Sequence, residues 1–246
     1  MSTLDSLIAE HIRLNIYYDG VKQAGINQGR YITPYEFCRE TKGVYSADDV
    51  EGFGNWLSDI TLNPHLTGHF ISHVINHSPD KNFTLTLNKL TSPIQFVGFE
   101  NRKNVTLYKR DELFSEPVFD FLGSRMIDGS IEVHASASRI GYELIGGNIS
   151  IYGPIKETIG ERMSGGNIRI NNDVYSSVGS SMSGGSIEIN GNVFGMIIGI
   201  GMTGGEIRIN GNNRFKVSKK IKGGTIYHKN VPIVVHGQFT QKGYSG

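Results

Sequence analysis

Cysteine is all but missing. Cys38 is the single thiol in 246 residues, which excludes an internal disulfide and suits a reducing compartment. An excess of one charge is missing too: 24 Lys and Arg against 23 Asp and Glu leave a net charge of +1. The chain therefore lacks the electrostatic footprint of a nucleic-acid or anionic-membrane partner. No apolar run approaches the roughly 18 residues of a membrane-crossing helix. The opening Met1-Ser-Thr-Leu-Asp5 shows neither the basic nor the apolar region of a secretion signal. These absences predict a cytoplasmic protein that engages no nucleic acid and no membrane. Its length allows one or two domains with a substantial core. Glycine is the opposite case, at 32 of 246 residues, about double ordinary usage.

A repeat explains the glycine. Asp128-Gly129-Ser-Ile131-Glu-Val133 recurs as Gly146-Gly147-Asn-Ile149-Ser-Ile151 and Gly165-Gly166-Asn-Ile168-Arg-Ile170. Further copies are Gly184-Gly185-Ser-Ile187-Glu-Ile189, Gly204-Gly205-Glu-Ile207-Arg-Ile209 and Gly223-Gly224-Thr-Ile226-Tyr-His228. Successive second glycines are 18, 19, 19, 20 and 19 residues apart. Such a period marks a solenoid. Three residues before each second glycine stand Met126, Leu144, Met163, Met182, Met202 and Ile221, and Gly141, Gly160, Gly179 and Gly199 form another column. Gly153, Asn172, Gly191 and Gly211 close the Ile-x-Ile runs. Asn tolerates a left-handed turn, so Asn172 fits a column of positive-φ corners. Parallel coils about 4.8 Å apart would turn each column into a ladder of like residues. The pattern predicts a right-handed parallel β-helix with Ile149, Ile168, Ile187 and Ile207 in one interior row. Outside, Arg169, Glu188 and Arg208 would alternate in charge, and Asn171, Asn190 and Asn210 would bond amide to amide as register locks.

The recurring Met-x-Gly-Gly-x-Ile-x-Ile-x-Gly, best matched from Met163 to Gly191 and from Met182 to Gly211, resembles the glycine-rich GXGXG β-helix domain. That domain forms the C-terminal part of the glutamate synthase large subunit, and it also occurs as one of the subunits of formylmethanofuran dehydrogenase. The resemblance covers roughly residues 120–230. It implies a structural partner of separate catalytic domains, with no catalytic residue of its own to carry over.

Ahead of the repeat the spacing is helical. Leu4, Leu7, Ile8, His11 and Ile12 predict an amphipathic helix over residues 4–14, with a turn at Asp19-Gly20. Thr33-Pro34-Tyr35-Glu36 opens a helix to about Thr41. Ser46-Ala47-Asp48-Asp49 opens another, carrying Val50, Phe53, Trp56, Leu57 and Ile60. Asn63-Pro64 caps the last of them, running to about Ser78. Residues 1–80 are therefore a mostly α-helical module for capping or docking. From Lys81 the period falls to two: Phe83-Thr-Leu85-Thr-Leu87, Ile94-Gln-Phe96-Val97 and Val105-Thr-Leu107 predict strands. These belong to irregular early coils, so the β-helix spans 81–236, with Asp111 to Leu122 as an excursion and 237–246 as a polar tail.

The sharpest polar signal is His65, His69, His73 and His77, four histidines at i+4 spacing in the last predicted helix. Paired histidines on one helix face can share a divalent metal. The four drift about 40° per step, so only adjacent pairs can chelate together. The competing reading is a boundary face where imidazoles half-bury against the solenoid. The Gly195 to Gly201 run lacks the Lys-Ser/Thr of a phosphate loop and carries the extra residue of the twenty-residue unit, which a bulge accommodates. Glu188 and Glu206 fall in different columns, against the paired acids of a glycosidase. Cys38 has no histidine near it in sequence and reads as a small buried hydrophobe.

The resulting expectation is a non-catalytic scaffold that docks a protein partner or a second copy, within a redox or amidotransferase complex as the resemblance implies. One rival is a metal-binding protein or enzyme with its site between the histidine helix and the β-helix. Another is a bactofilin-like filament built by end-to-end stacking. A left-handed hexapeptide acyltransferase has eighteen-residue coils, but the double glycines and the missing hexad pattern argue against it.

Overall fold

The computed structural model describes residues 2–28, 34–39, 41–57, 63–87, 93–109, 118–240 and 244. Four helices lead: α1 (Thr3–Gln28), α2 (Pro34–Cys38), α3 (Ala47–Leu57) and α4 (Pro64–His77). Local chemistry opens two of them. Asp49 N–H donates to Ser46 Oγ at 3.2 Å while Ser46 N–H donates to Asp49 Oδ2 at 2.9 Å, a reciprocal cap on α3. Asn63 Oδ1 accepts from the backbone of His65 and Leu66 at 3.1 and 3.2 Å, capping α4. The expected turn at Asp19-Gly20 is absent, because α1 runs through it. Leu7, His11, Leu14 and Tyr18 are all buried at helical spacing, and that packing outweighs the weak local preference of Asp-Gly. The expected residue Ile60 and the start of the second predicted helix at Thr33 lie outside the described residues.

The rest of the described chain is a β-solenoid of about seven turns. Its principal sheet has ten strands in the order β1 (Asn82–Leu87), β3 (Asn104–Lys109), β5 (Ser130–His134), β7 (Asn148–Ile151), β8 (Asn167–Ile170), β9 (Ser186–Ile189), β11 (Glu206–Ile209), β13 (Thr225–His228), β14 (Val231–Val235) and β15 (Gln238–Phe239). A second face carries β2 (Ile94–Gln95), β4 (Phe119–Asp120) and β6 (Ala137–Ser138), and a third sheet pairs β10 (Val193–Ile198) with β12 (Asn213–Val217). Every pair from β1 to β13 is parallel. Ile149, Ile168, Ile187 and Ile207 lie opposite one another in that register, and all four are buried. A second wall stacks Ile140, Ile159, Val178 and Ile198 through isolated bridges. The Met126-to-Ile221 column is buried as well. Each such aliphatic side chain contributes about 1.5–3 kcal/mol on burial.

The early strands join the stack as the sequence suggests, with Asn82 opposite Asn104 and Asn104 opposite Ser130. The excursion does not reach Leu122. Residues 110–117 lie outside the described set, but Phe119 and Leu122 are fully buried and β4 pairs with β2 and β6. The polar tail is also corrected. β15 pairs antiparallel with β14, and Tyr244 donates to His228 Nδ1 at 2.7 Å. His228 occupies the inward row that Ile209 fills one coil earlier; Tyr244 on one ring nitrogen and the Gly211 carbonyl, 2.9 Å from the other, satisfy it there.

Outside, the amide ladder forms: Asn190 donates to Asn171 at 2.8 Å and Asn210 to Asn190 at 2.9 Å. A parallel ladder runs Asn104 to Asn82 and Asn167 to Asn148, both at 2.9 Å. The charge ladder forms only in part. Arg169 meets Glu188 at 2.8 Å, but Arg208 turns to Glu206 on its own strand and lies 4.0 Å over the Tyr227 ring. Asn172 is not left-handed, nor are Gly153, Gly191 and Gly211. That column is glycine-rich because the neighbouring coil's carbonyl oxygens leave no room for a Cβ.

The helices close the first coil. α4 lies against β2 so tightly that a Cβ on Gly68 would overlap the Gln95 carbonyl oxygen. α3 lies on β1, where a Cβ on Gly54 would overlap Leu85 Cδ1.

Candidate functional site

The four histidines lie along α4, and they divide. His65 is exposed, 5.8 Å between centroids from Phe96. His69 is buried and stacked on Phe96 at 4.6 Å, edge-on to Phe99 at 4.8 Å. Its Nδ1 has no hydrogen-bond partner. Burial, reinforced by the neighbouring His65, pushes its pKa down to about 4. His73 is buried and its ring stacks on exposed His77 at 4.0 Å, whose Nδ1–H donates to the His73 carbonyl at 2.8 Å. Burial lowers the His73 pKa as well. Among the described residues no three His, Cys, Asp or Glu side chains converge as a metal-holding group.

A fifth histidine, read from sequence only as part of an apolar stripe, is the most deeply enclosed. His11 Nε2 lies 3.1 Å from both Thr67 Oγ1 and Asn15 Nδ2. Asn15 Oδ1 accepts from the Asn63 backbone at 3.2 Å, so the network ties α1 to the cap of α4. Phe53 and Phe70 ring centroids stand 5.0 Å from the imidazole and Trp56 6.0 Å. Burial drives the pKa down to about 3. The sequence signal was there: His11 falls three residues before Leu14 and four after Leu7, on the buried stripe.

Ser72 pins the first corner. Its hydroxyl lies 2.8 Å from the Gly68 carbonyl and 3.0 Å from that of Phe96, and it accepts from the Gly98 and Phe99 N–H groups at 2.9 and 3.2 Å. Ser72→Ala strands those buried groups, so a loss of about 1–3 kcal/mol is expected from urea unfolding midpoints.

From that corner a ladder climbs the solenoid. Phe96 stacks on Phe121 at 4.7 Å, and the Arg139 guanidinium lies 4.1 Å over Phe121 while clamping buried Asp120. Beside it Glu100, Arg125, Glu143 and Arg162 alternate in charge, with contacts of 3.6, 3.6 and 3.4 Å. All four have φ between 51° and 56°. Left-handed backbone costs a non-glycine residue about 1–2 kcal/mol, and exposed ion pairs return only about 0–1 kcal/mol each. Nothing glycine-like marks these positions, so the sequence reading missed them. Their constant offset of two residues after Gly98, Gly123, Gly141 and Gly160 is the signal that could have found them.

An exposed apolar patch lies at the edge of the third sheet, where Val174 bridges to Val193. Tyr175 stacks on Phe194 at 4.9 Å and is 56% exposed, and Ile197 is 41% exposed. Register shifts between Phe194 and Ile197, so the extra residue of the twenty-residue unit becomes a bulge, as expected. Compared with protein-family models and with curated proteins, the chain matches none. No helix among the described residues is long and apolar enough to cross a membrane.

Proposed function

We propose that the protein is a non-catalytic scaffold whose solenoid docks a protein partner on the bulged coil. The patch of Tyr175, Phe194 and Ile197 carries this reading. Exposed Tyr175 and Ile197 flank half-buried Phe194 there, on the coil that carries an extra residue, and such groupings typify interface cores. The rest of the solenoid supports it, since stacked aliphatic rows and amide ladders make a rigid platform suited to shape-based recognition. The GXGXG resemblance supports an oxidoreductase or amidotransferase complex as the assembly served. Against end-to-end filaments weigh α3 and α4 over the first coil and β14 and β15 beyond the last parallel strand.

The test compares tagged wild type with a Tyr175→Ser, Ile197→Ser double variant in native extract. Both positions are exposed, so the melting temperature should change little. A protein retained by wild type and lost by the variant is the expected result. An identical retained set would refute docking at this coil.

A further inference from the structure

On the outer face of the principal sheet, across β7, β8 and β9, lies a depression of about 470 Å³. The register explains it. The outward column reads Glu132, Ser150, Arg169, Glu188, and the short serine leaves a gap between long side chains. Asn148 and Asn167, linked at 2.9 Å, form one wall. Tyr152 forms the other.

Tyr152 has one ring face against His134 at 4.7 Å and 1°. His134 stacks in turn on Tyr108 at 4.8 Å, so Tyr152 ends an aromatic stack. The next residue in its column is the smaller Asn171. That smaller neighbour leaves part of the ring uncovered beside the depression, and Tyr152 is 46% exposed. Arg169 and Glu188 close on each other at 2.8 Å, so the depression offers both charges but no net charge.

We propose that this depression binds a short neutral oligosaccharide. Paired guanidinium and carboxylate favour an uncharged ligand, since a charged one would have to compete with the ion pair. Serine hydroxyl and asparagine amides each donate and accept, which suits a ligand of many hydroxyls. The exposed face of Tyr152 is electron-rich and suits the C–H face of a pyranose ring. The volume lies within the usual range for small-ligand sites, about 300–1,000 Å³. The location, on a different sheet from the bulged coil, makes the proposal independent of partner docking.

The test titrates the full chain with chitotriose, cellotriose and maltotriose, and with inorganic phosphate as the charged comparison, by calorimetry. At least one sugar is expected to bind with Kd below about 1 mM. Tyr152→Ala should weaken it at least tenfold, and Ser150→Tyr, which fills the gap from a half-buried, outward-facing strand position, should abolish it. Far-UV circular dichroism and melting temperature check that both variants fold as wild type does. Failure of all three sugars to bind at about 10 mM would overturn the proposal. Equal binding by either variant, or phosphate binding more tightly than every sugar, would do the same.

Discussion

Gly185→Ala is expected to destabilise the protein by roughly 2–5 kcal/mol. Gly185 has φ +79°, a conformation that costs an alanine about 1–2 kcal/mol. The new Cβ would also press on the Gly166 carbonyl oxygen at 2.6 Å and overlap Met163 Cε. The methionine end can swing, but the oxygen is backbone of the coil below and is fixed by the stack. Overpacking of this kind costs about 1–3 kcal/mol more. Ser181→Gly is the matched control. Ser181 holds φ +56° one corner away with its side chain exposed, so relief of strain and greater unfolded-state freedom nearly cancel, within about 1 kcal/mol. Urea unfolding of both variants beside wild type decides. Similar midpoints for wild type and Gly185→Ala would mean that the coils do not stack at this corner as described.

Acid should weaken the helical module steeply, starting below pH 6.5. His11 and His69 have folded pKa values pushed by burial to about 3 and about 4, from an ordinary 6.5. A base with a depressed folded pKa binds its proton first in the unfolded chain. Stability is therefore complete above pH 6.5 and falls as pH drops toward 4. Each histidine contributes about 1.4 kcal/mol per pH unit across that window. At pH 5 the two together remove roughly 4 kcal/mol, a large part of the about 5–15 kcal/mol that holds a domain folded. The lowered pKa of His73 acts in the same direction. Asp5, whose pKa is lowered by hydrogen bonds from Ser2, and Asp49, where the upward push of burial is outweighed by hydrogen bonds from Thr3 and Ser46, add their loss only nearer pH 4. The check is the urea midpoint of helical circular dichroism between pH 7.5 and 5, at about half-unit steps, for wild type and His11→Gln. Wild type should lose stability across this range, and the variant should show about half the slope. A flat wild-type profile would show that these imidazoles are not held neutral.

The solenoid was legible because its constraints repeat. Ile149, Ile168, Ile187 and Ile207 recur at one offset from a double glycine, and a register error would turn all four outward. The caps were legible where chemistry is local, as at Ser46 and Asn63. What escaped was decided by contacts distant in sequence. α1 continues through Asp19-Gly20 because buried Leu14 and Tyr18 extend its stripe. Arg208 abandons the charge ladder because Glu206 on its own strand and the Tyr227 ring lie nearer. Asn172 holds its place in the column without the left-handed backbone that its residue type suggests. The histidine spacing was visible, but which imidazole would be buried depended on Phe96 and Phe99, some thirty positions downstream. The bulged coil was foreseen from one extra residue, whereas the depression beside Tyr152 arises from Ser150, whose shortness matters only between Glu132 and Arg169.

Because each lap touches only its immediate neighbours, the number of laps acts as a ruler. Inserting or losing one between the helices and the bulged coil would shift the Tyr175 patch by about 4.8 Å along the axis. Neither end need be remodelled. A change in lap number thus retunes the distance between two attachment points without resculpting either surface.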